Sequence, residues 1–200
     1  ADGFWAREMS PYQRADRTTM KTDESMRPET TLEGLSELKP AFREYGSVTA
    51  GNACPLNDGA ASVVLASEEF VRKHGLKPVA KILGSTASAL SPEIMGQGPV
   101  EAIRKLESRL GLAGQVQQYE INEAFAVQVL ANIKSLDIGL EKVNLNGASI
   151  AIGHPYGMTG ARILGTLINS LQSHDHKIGI EAMCVAGGQG MAVAVERIED

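Results

Sequence analysis

The chain has 200 residues, 43% hydrophobic and 22% charged, with 21 glycines and a formal net charge of −5. That length allows one or two compact domains with a real core, and the acidic balance gives no support for nucleic-acid binding, which wants a basic face. The two cysteines, Cys54 and Cys184, are too far apart in sequence for a metal ribbon or a disulfide framework, and no apolar run reaches the roughly 18 residues of a membrane span. The expectation is a cytoplasmic protein with no membrane or nucleic-acid partner.

Ala1-Asp2-Gly3-Phe4-Trp5 opens without an initiator Met, as the middle of a longer chain would. Residues 1–50 are polar and punctuated by Pro11, Pro28 and Pro40, which suggests an excursion covering a site rather than a core. Within it, Leu32, Leu35 and Leu38 fall on one side of a short helix capped by Thr30 or Thr31 and ended by Pro40. A turn-rich run from Gly51 to Ala60 leads into Val63-Val64-Leu65, a candidate buried strand. Ser67 then caps a helix that ends near Gly75, and Pro78–Leu83 reads as the next strand.

Pro99 starts a helix striped by Val100, Ile103, Leu106 and Leu110. Gln118–Ile121 is a short strand, followed by a helix opened by Asn122-Glu123-Ala124-Phe125-Ala126. Another helix runs from about Gly157, and Ile178–Cys184 and Met191–Ile198 read as two strands joined by a glycine turn. Strands alternating with helices predict a layered α/β architecture.

Three stretches could carry chemistry. Asn122 stands where a strand gives way to a helix, a common ligand position in α/β sheets, although Asn in such a place often serves only as a cap. His154 lies between Gly153 and Pro155-Tyr156-Gly157 at a helix entrance, where the N-terminal dipole favours nearby negative charge. Cys184 precedes Val185-Ala186-Gly187-Gly188-Gln189-Gly190; with a strand after it, this is a tight reverse turn beside a thiol rather than a dinucleotide fingerprint. A cysteine at a strand end is frequently plain core filling. His174 and His176 read as solvated, and no metal site is expected.

Order and spacing together are more specific than any single motif. Thr49-Ala50-Gly51-Asn52, Leu56-Asn57-Asp58-Gly59-Ala60-Ala61, Asn122–Ala126, Gly153-His154-Pro155, Thr159-Gly160-Ala161-Arg162 and the Cys184 glycine turn resemble the thiolase family, aligned to its C-terminal half. The resemblance implies the thiolase fold: an α/β, αβα-layered half around a mixed five-stranded sheet. On that scheme residues 1–50 end the loop excursion of an N-terminal domain, 51–76 supply that domain's last strand and helix, and 77–200 form the C-terminal domain.

The resemblance further implies acetyl-CoA C-acyltransferase activity, cleaving or forming 3-ketoacyl-CoA by Claisen chemistry. Cys184 would be the acid/base thiol at the substrate's α-carbon. His154 would help activate the nucleophilic thiol and donate to the thioester oxygen, Asn122 would position a water at that oxygen, and the N–H of Ala186 would serve a second oxyanion hole. Arg27, Ala50 and Cys54 would line the coenzyme A channel, and Phe125 would pack near the acyl pocket. Coenzyme A is then a substrate, with no covalently bound cofactor. The Cys54-Pro55 and Met158-Thr159 forms look most like bacterial 3-ketoacyl-CoA thiolases of degradative pathways, including some acting on steroid side chains, and the family resemblance as a whole implies a place in fatty acid β-oxidation.

Two departures stand out. The family's nucleophilic cysteine belongs to the first half, so the implied partners are acyl-CoA, CoA and a missing N-terminal thiolase half, in a complete enzyme that is a homodimer or homotetramer. The alternative is an incomplete fragment acting only as a CoA-binding or interaction module, with apolar surface exposed. Ala186 replaces a usual glycine and would strain the turn if its φ were positive.

Overall fold

The computed structural model describes residues 3–199. The N-terminal stretch is largely exposed, with a two-residue ribbon pairing β1 (Tyr12–Gln13) with β2 (Thr19–Met20). Its beginning is nonetheless part of the core. A 3-10 turn at Trp5–Arg7 buries Phe4 to 3% exposure, and Trp5 Nε1 donates to the carbonyl of Asn146 at 3.1 Å. This corrects the reading of residues 1–50 as cover alone, because two aromatics are enough to seat the segment on the domain behind it.

Helix α1 (Leu32–Ser36) is capped by Thr31, whose hydroxyl accepts from Gly34 N at 3.1 Å. Helix α2 (Glu68–His74) has Ser67 as its cap and Gly75 in the left-handed conformation at its end. Between them, Val63-Val64-Leu65 forms no strand, and Val64 is 92% exposed. An apolar run becomes a buried strand only where another strand satisfies its backbone, and none of the described strands pairs with it.

The central sheet contains β3 (Ala80–Ala89), β4 (Gln118–Ile121), β5 (Ile178–Val185) and β6 (Gln189–Arg197) in the order β3-β6-β5-β4. The pairs β3–β6 and β5–β6 are antiparallel, and the outer pair β4–β5 is parallel. The expected five strands are thus four among the described residues. The fifth position is held only by Val143, which makes an isolated parallel bridge to Tyr119. Asn144 then takes φ +52° and uses its side chain as a substitute strand, accepting from Ile121 N at 2.8 Å and donating to Ile121 O at 2.9 Å.

Helices α3 (Gly98–Leu110) and α4 (Ala126–Leu136) cover one face of the sheet. Ala102, Ile103 and Leu106 pack there with Tyr119, Ile121, Ile180, Ala182, Ala192 and Ala194. The short α5 (Ser149–Ile152) precedes α6 (Thr159–Ser173), which covers the other face through Leu167 and Leu171 against Val195. Gly98 and Gly190 let α3 start directly against β6: a Cβ on Gly190 would lie 2.1 Å from the Gly98 carbonyl carbon. That close approach fixes the β5–β6 turn. His176 is not free in solvent as expected; its Nδ1 lies 2.7 Å from the buried Gln118 Nε2.

Candidate active site

Strands β4 and β5 run side by side in parallel, with Ile121 level with Ala182. Their C-terminal ends therefore place Asn122 and Cys184 at one edge of the sheet, where ligands of open α/β sheets gather. Asn122 N donates to Ala182 O at 2.9 Å, extending the ladder by one residue. This overturns the view of Asn122 as a helix cap. Helix α4 starts four residues later, with Phe125 in the cap position. Asn122 is fully buried; its Oδ1 accepts from Ser149 Oγ at 2.6 Å, while its Nδ2 meets no protein acceptor.

Cys184 is buried just before the turn at residues 186–188. Burial pushes its thiol above the ordinary value, and the nearby Cys54 raises it further. Gly187 and Gly188 have φ of +85° and +88°, whereas Ala186 is not among the positive-φ residues. The left-handed positions of the turn thus fall on glycine, and Ala186 fits without strain.

His154 follows Gly153, whose φ is +102° and whose missing side chain makes room for Asn57. Asn57 Oδ1 accepts from His154 N at 3.1 Å. The ring's Nδ1 lies 2.6 Å from Thr159 Oγ1, and that hydroxyl donates to Pro155 O at 2.8 Å. With its only proton committed, Thr159 must accept from the ring, so Nδ1 carries the hydrogen and Nε2 keeps a lone pair. Burial, then the charge of Arg162, lowers the His154 pKa and keeps the ring neutral.

The segment Asn52–Asp58 joins these parts. Ala53 bridges Phe125, Cys54 N donates to Ala124 O at 3.1 Å, and Ala126 N donates to Asn52 O at 2.9 Å. Phe42 packs edge-on against Phe125 with ring centroids 5.8 Å apart. Further along, Leu56, Asn57 and Asp58 line a shallow cavity of about 360 Å³ with His154 and Tyr156. One short segment thus touches both the Asn122–Ala126 and the Gly153–Tyr156 motifs. The thiol of Cys54, also raised by burial, sits beside the site.

The family model "Thiolase, C-terminal domain" matches residues 76–197, and "Thiolase, N-terminal domain" matches residues 1–69. The chain belongs to the thiolase family. It is 47% identical over 99% of its length to the β-ketoadipyl-CoA thiolase of Pseudomonas putida, covering 51% of that protein. With the human mitochondrial 3-ketoacyl-CoA thiolase it shares 43% identity over 97% of its length and 50% of that protein. Among solved structures, a Bacillus anthracis acetyl-CoA acetyltransferase superposes with a TM-score of 0.94 at 44% identity, over 98% of this chain and 51% of that one. The human mitochondrial enzyme in complex with CoA gives 0.91 at 42%, over 98% and 50%. The chain spans about half the length of the curated relatives it matches.

Within this thiolase chain, Asn122, Cys184, Cys54 and Phe125 gather at the end of β4 and β5, and His154 is tied in through Asn57. No hydrogen bond links His154 to Cys184 or Asn122 among the described residues. Ala50 and Arg27 are exposed; the Arg27 carbonyl accepts from Thr30 N at 3.1 Å, but its guanidinium makes no hydrogen bond or ion pair among the described residues. Sequence reasoning missed Ser149, Arg162 and Glu120. Arg162 is buried, donates from Nη2 to Ser149 Oγ at 2.6 Å, and sets Nη1 3.6 Å from Glu120 Oε1, an ion contact rather than a hydrogen bond. Arg162 stood in a quoted motif, yet no local signal shows that it points inward.

Proposed function

We propose that this chain carries the proton-transfer half of a thiolase active site, within an acetyl-CoA C-acyltransferase acting on 3-ketoacyl-CoA and CoA. The observation that carries the reading is the placement of Asn122 and Cys184 together at the ends of the parallel strands β4 and β5, with a buried amide donor left over on Asn122. The relatives' names share one feature, a CoA thioester, and one of them was solved with CoA. Coenzyme A is a substrate here, not a resident cofactor.

The chemistry follows from the residue types. Cys184, a thiol at rest, first releases its proton to solvent; the thiolate then takes a proton from the carbon next to the thioester, so that an S–H bond forms, the C–H bond breaks, and the electron pair moves onto the thioester oxygen. The Asn122 amide, through a water, meets that charge; a fixed donor at a developing oxyanion contributes about 3–4 kcal/mol. His154 Nε2 first takes the proton of the nucleophilic thiol and, as imidazolium, then donates to the same oxygen. The Ala186 N–H serves the second oxyanion site. Phe125, Cys54, Ala50 and Arg27 line the acyl and CoA path.

The nucleophilic cysteine lies outside these 200 residues on this reading, supplied by an N-terminal thiolase half in a homodimeric or homotetrameric enzyme. The domain division runs at residues 76 and 77. A compartment that keeps thiols reduced, the cytoplasm in the first instance, suits two free cysteines. Fatty acid β-oxidation is the degradative setting we assign.

Enolisation needs only groups on this chain, so it can be tested without the nucleophile. Acetyl-CoA is incubated with the protein in deuterated buffer, and deuterium in its acetyl group is read by mass spectrometry. Incorporation above the buffer rate, lost in Cys184→Ala, is expected. Tight CoA binding with no incorporation would favour the alternative, a CoA-binding module without its own turnover.

A further inference from the structure

Asn122 has one carboxamide and two ways to set it: oxygen toward Ser149, or nitrogen. The hydrogen bonds around it choose between them. Arg162 has donors only, so its Nη2, 2.6 Å from Ser149 Oγ, must donate to that oxygen. Ser149 then directs its single proton to Asn122, 2.6 Å away, and the atom receiving it must be the acceptor Oδ1. A reversed carboxamide would press a second donor onto Ser149 Oγ and strand both the hydroxyl proton and Oδ1 in a fully buried place.

The relay is itself held from behind. Arg162 lies against Glu120 on β4, two residues before Asn122 and on the same face of the sheet. Ser149 begins α5, which Glu123 holds by accepting from Ile150 N at 3.1 Å. With Oδ1 committed inward, Nδ2 is the end left for a ligand, and it is the one side-chain atom of Asn122 with no protein partner.

We propose that Ser149 and Arg162, anchored on Glu120, form a one-way hydrogen-bond relay that fixes which end of the Asn122 carboxamide faces the reacting thioester. Ser149 is then a positioning residue for the reaction. Its catalytic consequence rests on the proposed role of Asn122; the orientation itself does not.

Two readouts on the full chain separate these layers. The first is the side-chain amide of Asn122 in nitrogen-15-labelled protein, assigned by its loss in Asn122→Asp. The wild type should show one amide pair with weak cross-peaks to the Ser149 β protons. Ser149→Ala should bring up strong cross-peaks from the amide protons to the new methyl group, as the carboxamide turns over, and Ser149→Thr, which keeps the hydroxyl, should retain the wild-type pattern. The second readout is deuterium incorporation into acetyl-CoA. Ser149→Ala should lower the maximal rate about tenfold, the effect of losing one hydrogen bond's orientation, leave the half-saturating acetyl-CoA concentration unchanged, and be rescued by Ser149→Thr. An unturned carboxamide in Ser149→Ala overturns the relay, and so does a turned one with undiminished exchange. A wild type that shows no exchange sinks the functional reading instead, and the amide spectrum alone then decides the orientation.

Discussion

Thr159 Oγ1 sits 2.6 Å from Nδ1 of His154 and donates its own proton to Pro155 O, so one residue of α6 sets the tautomer of the ring five positions earlier. The same hydroxyl group could not perform both tasks as a donor. The consequence is a neutral imidazole with Nε2 open to accept a proton, and burial together with Arg162 disfavours the charged form.

Replacing Thr159 with Val should release that choice. The Pro155 carbonyl keeps two backbone donors, Met158 N at 2.9 Å and Thr159 N at 3.0 Å, so the helix start should survive. The ring would lose its acceptor, at about 1 kcal/mol for a half-buried group. Nitrogen-15 shifts of the His154 ring should report the Nδ1–H tautomer in the wild type and in Thr159→Ser, and a mixture in Thr159→Val. An unchanged tautomer in the valine variant would show that the hydroxyl does not set it.

The cysteines make a second prediction. Burial raises both the Cys54 and the Cys184 thiols, and backbone hydrogen bonds only partly oppose it. Neither thiol is thus an activated thiolate at rest. Alkylation by iodoacetamide, followed by intact mass, should be slower at both sites than for a free thiol of pKa about 8.5, and should climb steadily from about pH 7 to about pH 9. A rate that levels off well below the free-thiol pKa would contradict this, because it would mean that one thiol is already ionised.

Several of these features could be read in the sequence. Ser67 and Gly75 bracket α2, Gln118–Ile121 is a strand with the bounds expected, and the glycines after Cys184 make the turn, because each is a local matter of caps, periodicity or φ. What escaped is non-local. Val63-Val64-Leu65 has the composition of a buried strand but stands exposed, since a strand needs a partner that composition cannot supply. Strand β3 continues past Leu83 through Gly84–Ala89, a run of small and polar residues, because β6 pairs with it as far as Gln189. Arg162 closes the Thr159–Arg162 motif with no role of its own legible there; only the packing of α6 over β4 shows that it faces Glu120 and Ser149.

That same face carries Glu181, level with Glu120 in the parallel register. Burial pushes Glu181 up to about 8 with no cation to offset it, and it pushes Glu120 to about 8 against the pull of Arg162. Both folded-state values lie above the ordinary 4.5 of the unfolded chain. The folded protein therefore binds more protons, and the stabilisation is complete below about pH 4.5 and is lost as pH rises through about 8. Melting temperature should fall across that window, and Glu181→Gln, a neutral amide of the same shape, should flatten the slope. If the glutamine variant keeps the full wild-type slope, Glu181 is not the group that titrates.

Two glycines should respond to alanine in opposite directions. Gly188 has φ +88°, and a Cβ there would come within 2.2 Å of the Leu90 carbonyl oxygen, to which no side chain can adjust. The Gly188 carbonyl in turn accepts from Leu90 N at 2.8 Å, tying the turn after Cys184 to the end of β3. Gly188→Ala should destabilise by roughly 2 kcal/mol or more, lowering the melting temperature by about 4 °C or more in a chain of this size. Gly165, inside α6, has no atom within 4 Å of the added Cβ and no positive φ. There alanine restricts only the unfolded chain, and Gly165→Ala should stabilise by about 0.5–1 kcal/mol. Thermal melts of the two variants read both signs. A tolerated Gly188→Ala would mean that the turn after Cys184 is looser than its contacts require, and the thiol at the end of β5 would lose its rigid support.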